Sequence, residues 1–389
     1  MTDAAGPGGS AALTTSRGAS LDDLPVSSWL SYHPEADFHQ SRPWLEFVER
    51  SADRPVAYTW VTTSDQMLGL LPVYQEPVAP GSGYALADLG GASTAPGPAA
   101  VCGNRRGYRS EMLVGSLPPA SAAGREALGR LTEAAQIIGA EMNWPGLVFP
   151  YLRHDYAAVL REIMPNAIPL LSGLYAHIDI GGRSFDEFIK ALGKKKTDMV
   201  RNEIRRFERA GYATAIERLV DCWEEVGPLV ASVQQRYGHD ETAQECRRDL
   251  RAQGELLAGH DLVFTARRGG KLIAAAVFYH WNDTLVGRVV GFDYANLADA
   301  MEYFNLYFYQ PLSYACEHGV TRILLGTGSE RAKQLRGAQL NGLWTVAVWS
   351  ARPAWPVDWR ARNQATRERL AGSARIDEAE LTNEWCADN

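Results

Sequence analysis

The chain has 389 residues, enough for two domains of ordinary size, and its hydrophobic (46%) and charged (22%) fractions support buried cores. A formal net charge of −7 excludes wholesale binding of nucleic acid but leaves room for a local basic patch. No apolar run reaches the roughly eighteen residues of a membrane span. The five cysteines (Cys102, Cys222, Cys246, Cys316 and Cys386) are widely spaced with no C-x-x-C, and the histidines show no ligand spacing, so neither a disulfide framework nor a metal site is expected.

Residues 1–20, "MTDAAGPGGSAALTTSRGAS", are small, polar and Gly-rich without the apolar stretch of a signal peptide. They read as a disordered lead-in to a cytoplasmic protein. "DFHQSRPWLEFVER" is a short amphipathic helix with Trp44, Phe47 and Val48 on one side. "PVAYTWVTTSDQMLGLLPVYQE" is strand, turn, strand, broken at Ser64-Asp65. A Gly/Pro/Ala-rich stretch of loops and short strands follows, then a helix in "GREALGRLTEAAQIIGAEM" and a strand in "WPGLVFPYL". The second half repeats this order. Ser184, with Glu187 three residues on, caps "SFDEFIKAL". A basic helix from about 194 to 210 is closed by Gly211, and two further helices lead to three strands turned at Arg268-Gly269-Gly270 and Asn282-Asp283. A long helix from about Ala298 to His318, a strand "TRILLGTG" parallel to its neighbour, a short helix "SERAKQLRGAQ" and a last strand "LWTVAVWS" complete the pattern. The fold class is mixed α/β, with the order seen twice. The expected division is an N-terminal domain over 21–170, a C-terminal domain over 171–350 and a tail over 351–389. That tail is either a terminal helix packed on the core or a partly ordered extension.

Three segments carry a family resemblance. "SFDEFIKALGKKKTDMVRNEIRRFERAGY" is similar to a helix pair whose second member is Arg-rich. "LVFTARRGGKLIAAAVFYHWNDTLVGRVVGFD" is similar to a central hairpin. "YFNLYFYQPLSYACEHGVTRILLGTGSERAKQLRG" is similar to a closing helix-strand-loop unit with a Tyr-Gln pair. In this order the segments resemble the GNAT acyltransferase fold, and more narrowly its Fem-like branch with two tandem GNAT-type domains, each a central mixed sheet flanked by helices. "VTTSDQMLGLLPVYQE" resembles the strand pair opening the other domain. The resemblance implies amide formation by transfer of an aminoacyl group from aminoacyl-tRNA to an amine of a peptidoglycan precursor or small specialised metabolite, with no bound cofactor. Acyl-CoA is the alternative donor, and a non-catalytic module recognising cell-wall or carbohydrate fragments is the alternative of a different class. Two departures matter. CoA-dependent relatives carry a basic, Gly-rich turn after the central strand, where "FDYANLADAME" here has no Gly and offers Asp293 and Asp299 to a pyrophosphate. Relatives also often carry an acid on the long helix where this chain has Asn305.

Candidate residues follow. "GKKKTDMVRNEIRRFERAGY" packs seven Lys or Arg around three acids. Arg201, Arg205 and Arg209 form one helical stripe suited to an RNA backbone, with Lys194, Lys195 and Lys196 at its start and Val200, Ile204 and Phe207 as the docking face. The plainer reading is a solvated face on which Glu203 and Glu208 pair some of the arginines. "CGNRRGYRSE" offers Arg105 and Arg106 to a phosphate, or is a surface turn. On the long helix Tyr303, Asn305, Tyr309 and Gln310 are candidates to hold substrate, Tyr309 facing the cleft and Phe304 and Phe308 the core. Gly326, Thr327, Ser329, Lys333 and Arg336 make a turn and helix start that favours an anion. Glu330 or Asp293 could take the proton of the attacking amine.

Overall fold

The computed structural model describes residues 13–25, 37–52, 55–64, 66–74, 84, 99–115, 117–144, 146–349, 358–373, 381 and 385–386. The chain divides into two compact units. Unit 1 holds the described residues of Met1–Leu45, Ala52–Leu170 and Thr345–Pro356; unit 2 holds those of Glu46–Ser51, Leu171–Trp344 and Val357–Asn389.

In unit 1, strands β1 (Thr14–Gly18), β2 (Val56–Thr62), β3 (Met67–Tyr74), β4 (Ala99–Cys102) and β5 (Gly146–Leu152) lie side by side in that order. β1 to β4 pair antiparallel, and β4 and β5 pair parallel. β1 corrects the expectation that residues 1–20 are disordered: Thr14–Gly18 pairs residue for residue with Thr62–Tyr58, because a short β-branched, polar run suits a half-covered edge. The remaining first twelve residues lie outside the described ones. Helix α1 (Arg42–Arg50), which follows its Trp and Phe spacing, gives Arg42–Leu45 to this unit and the rest to unit 2. Helix α2 (Ala122–Glu141) starts at Ser121, whose hydroxyl accepts the Gly124 N–H, and buries Leu128, Leu131 and Ala135. Helix α3 (His154–Ile163) completes the unit's helices among the described residues.

In unit 2 the strand order is β6 (Ile168–Asp179), β11 (Arg322–Gly326), β10 (Thr284–Phe292), β9 (Lys271–Trp281), β8 (Asp261–Arg268) and β7 (Ala213–Glu217). β7 to β10 pair antiparallel, and β8, β9 and β10 form a meander. Its turns fall at Gly269-Gly270 and at Asn282, all with positive φ, as the two dipeptide signals require. β10 and β11 are parallel, and β11 is antiparallel to β6. The strand Gln339–Trp349 (β12) gives residues to both units.

Helix α4 (Phe185–Ala191) carries the reciprocal Ser184–Glu187 cap. Helix α5 (Lys194–Arg209) docks through Val200 and Phe207, both buried, and is followed by Gly211 at φ +70°. Helices α6 (Leu219–Arg236) and α7 (Ala243–Leu256) precede β8.

The crossover between the parallel strands is a single helical run, α8, that begins at Glu302 rather than Ala298. Its α-helical first turn is Glu302–Phe304, then Asn305–Tyr309 is a π-helical turn, and Gln310–Glu317 is α-helical again. Asp299 and Met301, at φ +53° and +66°, break the chain's approach to it. A short helix, α9 (Glu330–Leu335), follows β11. Helix α10 (Trp359–Ser373) settles the fate of the tail's start. Its Asn363 is buried and accepts the Leu171 N–H at 2.9 Å, and Trp385 stands edge-on to Trp344 at 4.7 Å. All five cysteines are free thiols, four of them buried.

Candidate functional site

The two parallel strands of unit 2 do not stay together. β10 and β11 pair only over Thr284–Val286 and Arg322–Leu324. Beyond that level β10 shifts register against β9 between Gly287 and Val289, and β11 shifts against β6 between Leu324 and Gly326. The parted backbone needs partners for its polar groups. Tyr307, from the π-helical turn, donates its hydroxyl to the Leu325 carbonyl at 3.0 Å. Gly287 admits it, because a Cβ there would sit 2.7 Å from that phenol oxygen. Lys333 reaches back from α9 and donates to the carbonyls of Leu325, Gly326 and Thr327 at 2.7, 3.1 and 2.8 Å.

That geometry corrects the role expected of Lys333. An ammonium has three donors, and Lys333, only 2% exposed, has all three on carbonyls. Burial pulls its pKa down to about 8. Lys333 therefore closes the end of β11 and has no donor left for an anion. Arg336 is corrected likewise. It is 4% exposed, pairs with both Glu203 oxygens at 2.7 Å, bonds the Tyr309 hydroxyl at 2.8 Å, and lies over the Phe304 ring at 3.2 Å. α9 has six residues, and Ser329, at φ +54°, makes no side-chain capping bond to it.

Glu203 is the residue that sequence reasoning misplaced. It was expected on the outer face of the basic helix; instead it points inward to Arg336 and accepts the Tyr309 hydroxyl. Tyr309 is 4% exposed, so it does not line an open cleft. Its hydroxyl is nevertheless shared between two charged side chains, and burial together with Glu203 raises its pKa. Asn305 is also structural: 2% exposed, it donates to the Met301 carbonyl at 2.9 Å. Phe308 is in the core as expected, while Phe304 is half-buried beneath Arg336.

Tyr303, Gln310, Gly326, Thr327 and Glu330 are half-buried and Ser329 is exposed. Tyr303 stacks on Tyr307 at 5.5 Å and is hydrogen-bonded to Ser329; burial pushes its phenol up to about 12. Gln310 makes no side-chain hydrogen bond among the described residues. Asp293 is a poor base: the hydrogen bond from Lys271 at 2.7 Å, aided by Asn296, holds its carboxyl below the usual range.

One carboxylate here was invisible in the sequence. Glu302, 4% exposed, accepts the backbone N–H groups of Ala298 and Ala300, each at 2.9 Å, and the Tyr212 hydroxyl at 2.6 Å. Two backbone donors of the turn before the long helix are thus taken by the chain's own anion. The basic helix α5 offers the opposite. Lys194, Lys195, Arg205, Arg206 and Arg209 are exposed and have no ion-pair or hydrogen-bond partner among the described residues. Arg201 pairs with Asp186 at 2.8 Å and the half-buried Lys196 bonds the Gln334 carbonyl, so these two are partly committed. Arg105 and Arg106 belong to unit 1. They follow β4 in a turn closed by its own side chains: Ser110 accepts the Asn104 N–H, and Asn104 donates to the Arg109 carbonyl. Arg105 lies over the Tyr74 ring at 5.8 Å. Among the described residues no cluster of side chains could hold a metal ion, and no helix is long and apolar enough to cross a membrane.

Mixed sheets flanked by helices, with a parallel pair that parts where the crossover helix and a Gly-rich turn meet, define a tandem GNAT-type fold. Residues 119–354 match the FemAB-like family, described as peptidoglycan biosynthesis/recognition, and the chain belongs to that family. Among solved structures, FemX is similar over 82% of this chain and 94% of its own, at 12% identity and a TM-score of 0.56. A conserved protein of unknown function from Bacteroides thetaiotaomicron is similar over 85% of this chain and 96% of its own, at 17% identity and a TM-score of 0.50. At these identities the likeness is one of fold. No curated protein sequence matches the chain significantly.

Proposed function

We propose that the protein is an N-acyltransferase that moves an aminoacyl group from aminoacyl-tRNA to an amine of a peptidoglycan precursor or a small specialised metabolite. The observation that carries this reading is Glu302. In coenzyme A-dependent relatives the turn after the central strand presents its backbone N–H groups to the pyrophosphate, and here a buried carboxylate holds those of Ala298 and Ala300 in that turn. A pyrophosphate would have to displace that carboxylate and then face its charge. The exposed, unpaired cations of α5 supply what an RNA backbone needs instead.

The chemistry asks little of the protein. The acceptor nitrogen attacks the ester carbonyl, the C–N bond forms, the C–O bond to the ribose breaks, and the amine proton ends on the departing hydroxyl. Positioning and stabilisation of the oxyanion are the main tasks. The side chains still free to act among the described residues are Gln310, Thr327 and Glu330. Glu330 is the base in this reading, since Asp293 is held ionised by Lys271.

The test is to offer the purified protein aminoacyl-tRNA, or separately acetyl-CoA, with panels of candidate amines. Amine-dependent loss of the charged tRNA without release of free thiol is the expected result. Thiol release from acetyl-CoA, with charged tRNA left intact, overturns the reading.

A further inference from the structure

A line of rings runs from the parted strands to the surface of unit 2. Tyr307 is 7% exposed and stacks on the half-buried Tyr303 at 5.5 Å. Tyr303 meets Phe292 at 6.4 Å, and Phe292 meets Tyr294 at 5.8 Å. Tyr294 is 37% exposed with the Arg236 guanidinium 4.5 Å over its ring, and the next residue, Tyr237, is 73% exposed. Tyr237 lies within electrostatic reach of the phenols of both Tyr294 and Tyr303.

The inner rings are explained by packing. The outer two are not. The hydroxyls of Tyr294 and Tyr237 make no hydrogen bond among the described residues, and both rings keep a large part of their surface in water, where neither packing nor polar pairing accounts for them. Their surroundings are cationic. Arg236 caps Tyr294, and Arg268 lies 4.6 Å over Tyr212, whose hydroxyl is bonded to Glu302 at the start of the same long helix. Phe207, in the last turn of the basic helix, stacks on Tyr212 at 5.2 Å. Of the local acids, Asp293 pairs with Lys271 and Glu302 is held by its three donors, while Asp299 and Asp240 are exposed. Exposed rings with guanidinium planes beside a basic helix are the chemistry that holds unpaired nucleotides, since every base has a face to stack and every phosphate a charge to pair.

We propose that Tyr294 and Tyr237, with Arg236, form a stacking platform for the unpaired 3′ nucleotides of an RNA donor, leading its acyl end toward the Gly326–Ser329 turn. The proposal rests on the tRNA-donor reading and adds where the single-stranded end lies. Stacking predicts sequence tolerance and little dependence on salt, whereas contacts from α5 are ionic and fall steeply with salt.

The probes are two labelled RNA hairpins with the same stem, one ending in a single-stranded ACCA and one blunt, titrated by fluorescence anisotropy against the full-length protein. The wild type is expected to bind the overhang hairpin more tightly than the blunt one. Tyr294→Ala and Tyr237→Ala should each remove about tenfold of that preference while leaving the salt slope unchanged. Tyr294→Phe, which keeps the ring, should retain it, and matched melting temperatures exclude misfolding. Equal binding of the two hairpins by the wild type, or a full preference kept by both alanine variants, overturns the platform while the donor reading stands. Displacement of the overhang hairpin by free coenzyme A assigns the rings to a coenzyme adenine and overturns it too. A wild type that binds neither hairpin and discharges no tRNA overturns the donor reading itself.

Discussion

Replacing Glu203 with alanine leaves Arg336 charged, buried and without a counterion. The guanidinium is 4% exposed, and in the wild type it spends one nitrogen on both carboxylate oxygens, a second on the Tyr309 hydroxyl and the third on the Ala332 carbonyl at 2.9 Å. The Phe304 ring covers one face of it, so solvent cannot replace the lost partner without opening that contact. Removing one member of a buried pair costs about 3–5 kcal/mol, most of it the uncompensated charge. For a unit of this size that is a fall of roughly 10 °C in the unfolding midpoint. The double variant Glu203→Leu/Arg336→Met removes both charges and keeps the volume, so it should recover most of the loss. Urea unfolding followed by circular dichroism gives each difference at constant m. A Glu203→Ala cost under about 1 kcal/mol, or a double variant as unstable as the single one, would refute the argument that the charge is what matters.

Other outcomes follow from the same geometry. Tyr309→Phe strands the Arg336 Nε–H and removes one of two donors to a Glu203 oxygen, and calorimetry should show a loss of about 1–3 kcal/mol; an unchanged midpoint would mean the network re-forms through water. Gly287→Ala puts a methyl group against the Tyr307 hydroxyl, and should cost about 1–3 kcal/mol in chemical denaturation, a cost that Tyr307→Phe should partly relieve. Lys333 has a folded pKa of about 8 against an ordinary 10.5. Between those values the unfolded chain holds the extra proton, so this residue's contribution to stability rises with pH there. The stability gap between wild type and Lys333→Met should widen from pH 7 to pH 10, and a constant gap contradicts the burial penalty. Changing Arg205, Arg206 and Arg209 together to Gln should flatten the salt dependence of RNA affinity by about two to three in log–log slope; a slope equal to wild type removes α5 from the RNA surface.

Elements with local chemistry were legible in the sequence. The Ser184–Glu187 cap, the Gly211 stop, the two hairpin turns and the parallel strand after a helical crossover all sit where residue type and spacing place them. What spacing could not show was which face of a helix meets which partner. Glu203 looks like one more surface acid on α5 until α9, more than a hundred residues later, brings Arg336 against it. The π-helical turn at Asn305–Tyr309 adds a residue to one turn and rotates everything before it relative to a 3.6-residue pattern, so spacing along the helix could not show that Tyr309 meets Glu203 and Arg336 rather than a cleft. Such turns recur at functional sites, and this one carries Tyr307 to Gly287 and the parted strands. Glu302 carried no signal, because a lone acid at a helix start is ordinary. Strand β7 was missed because ATAIE is short and exposed.

The division of β12 has a consequence for how the protein is made. Most of unit 1 precedes Leu171 in the sequence, yet Thr345–Trp349 belong to it. A ribosome extends a chain at roughly 5–20 residues per second, and an N-terminal domain usually folds while the rest is still being synthesised. Here the first unit must wait for its last strand until residues Leu171–Trp344 have been translated, an interval on the order of ten seconds or more. During that time unit 1 lacks its closing segment, and the nascent chain has a stretch of life in which its buried surfaces need protection from other chains.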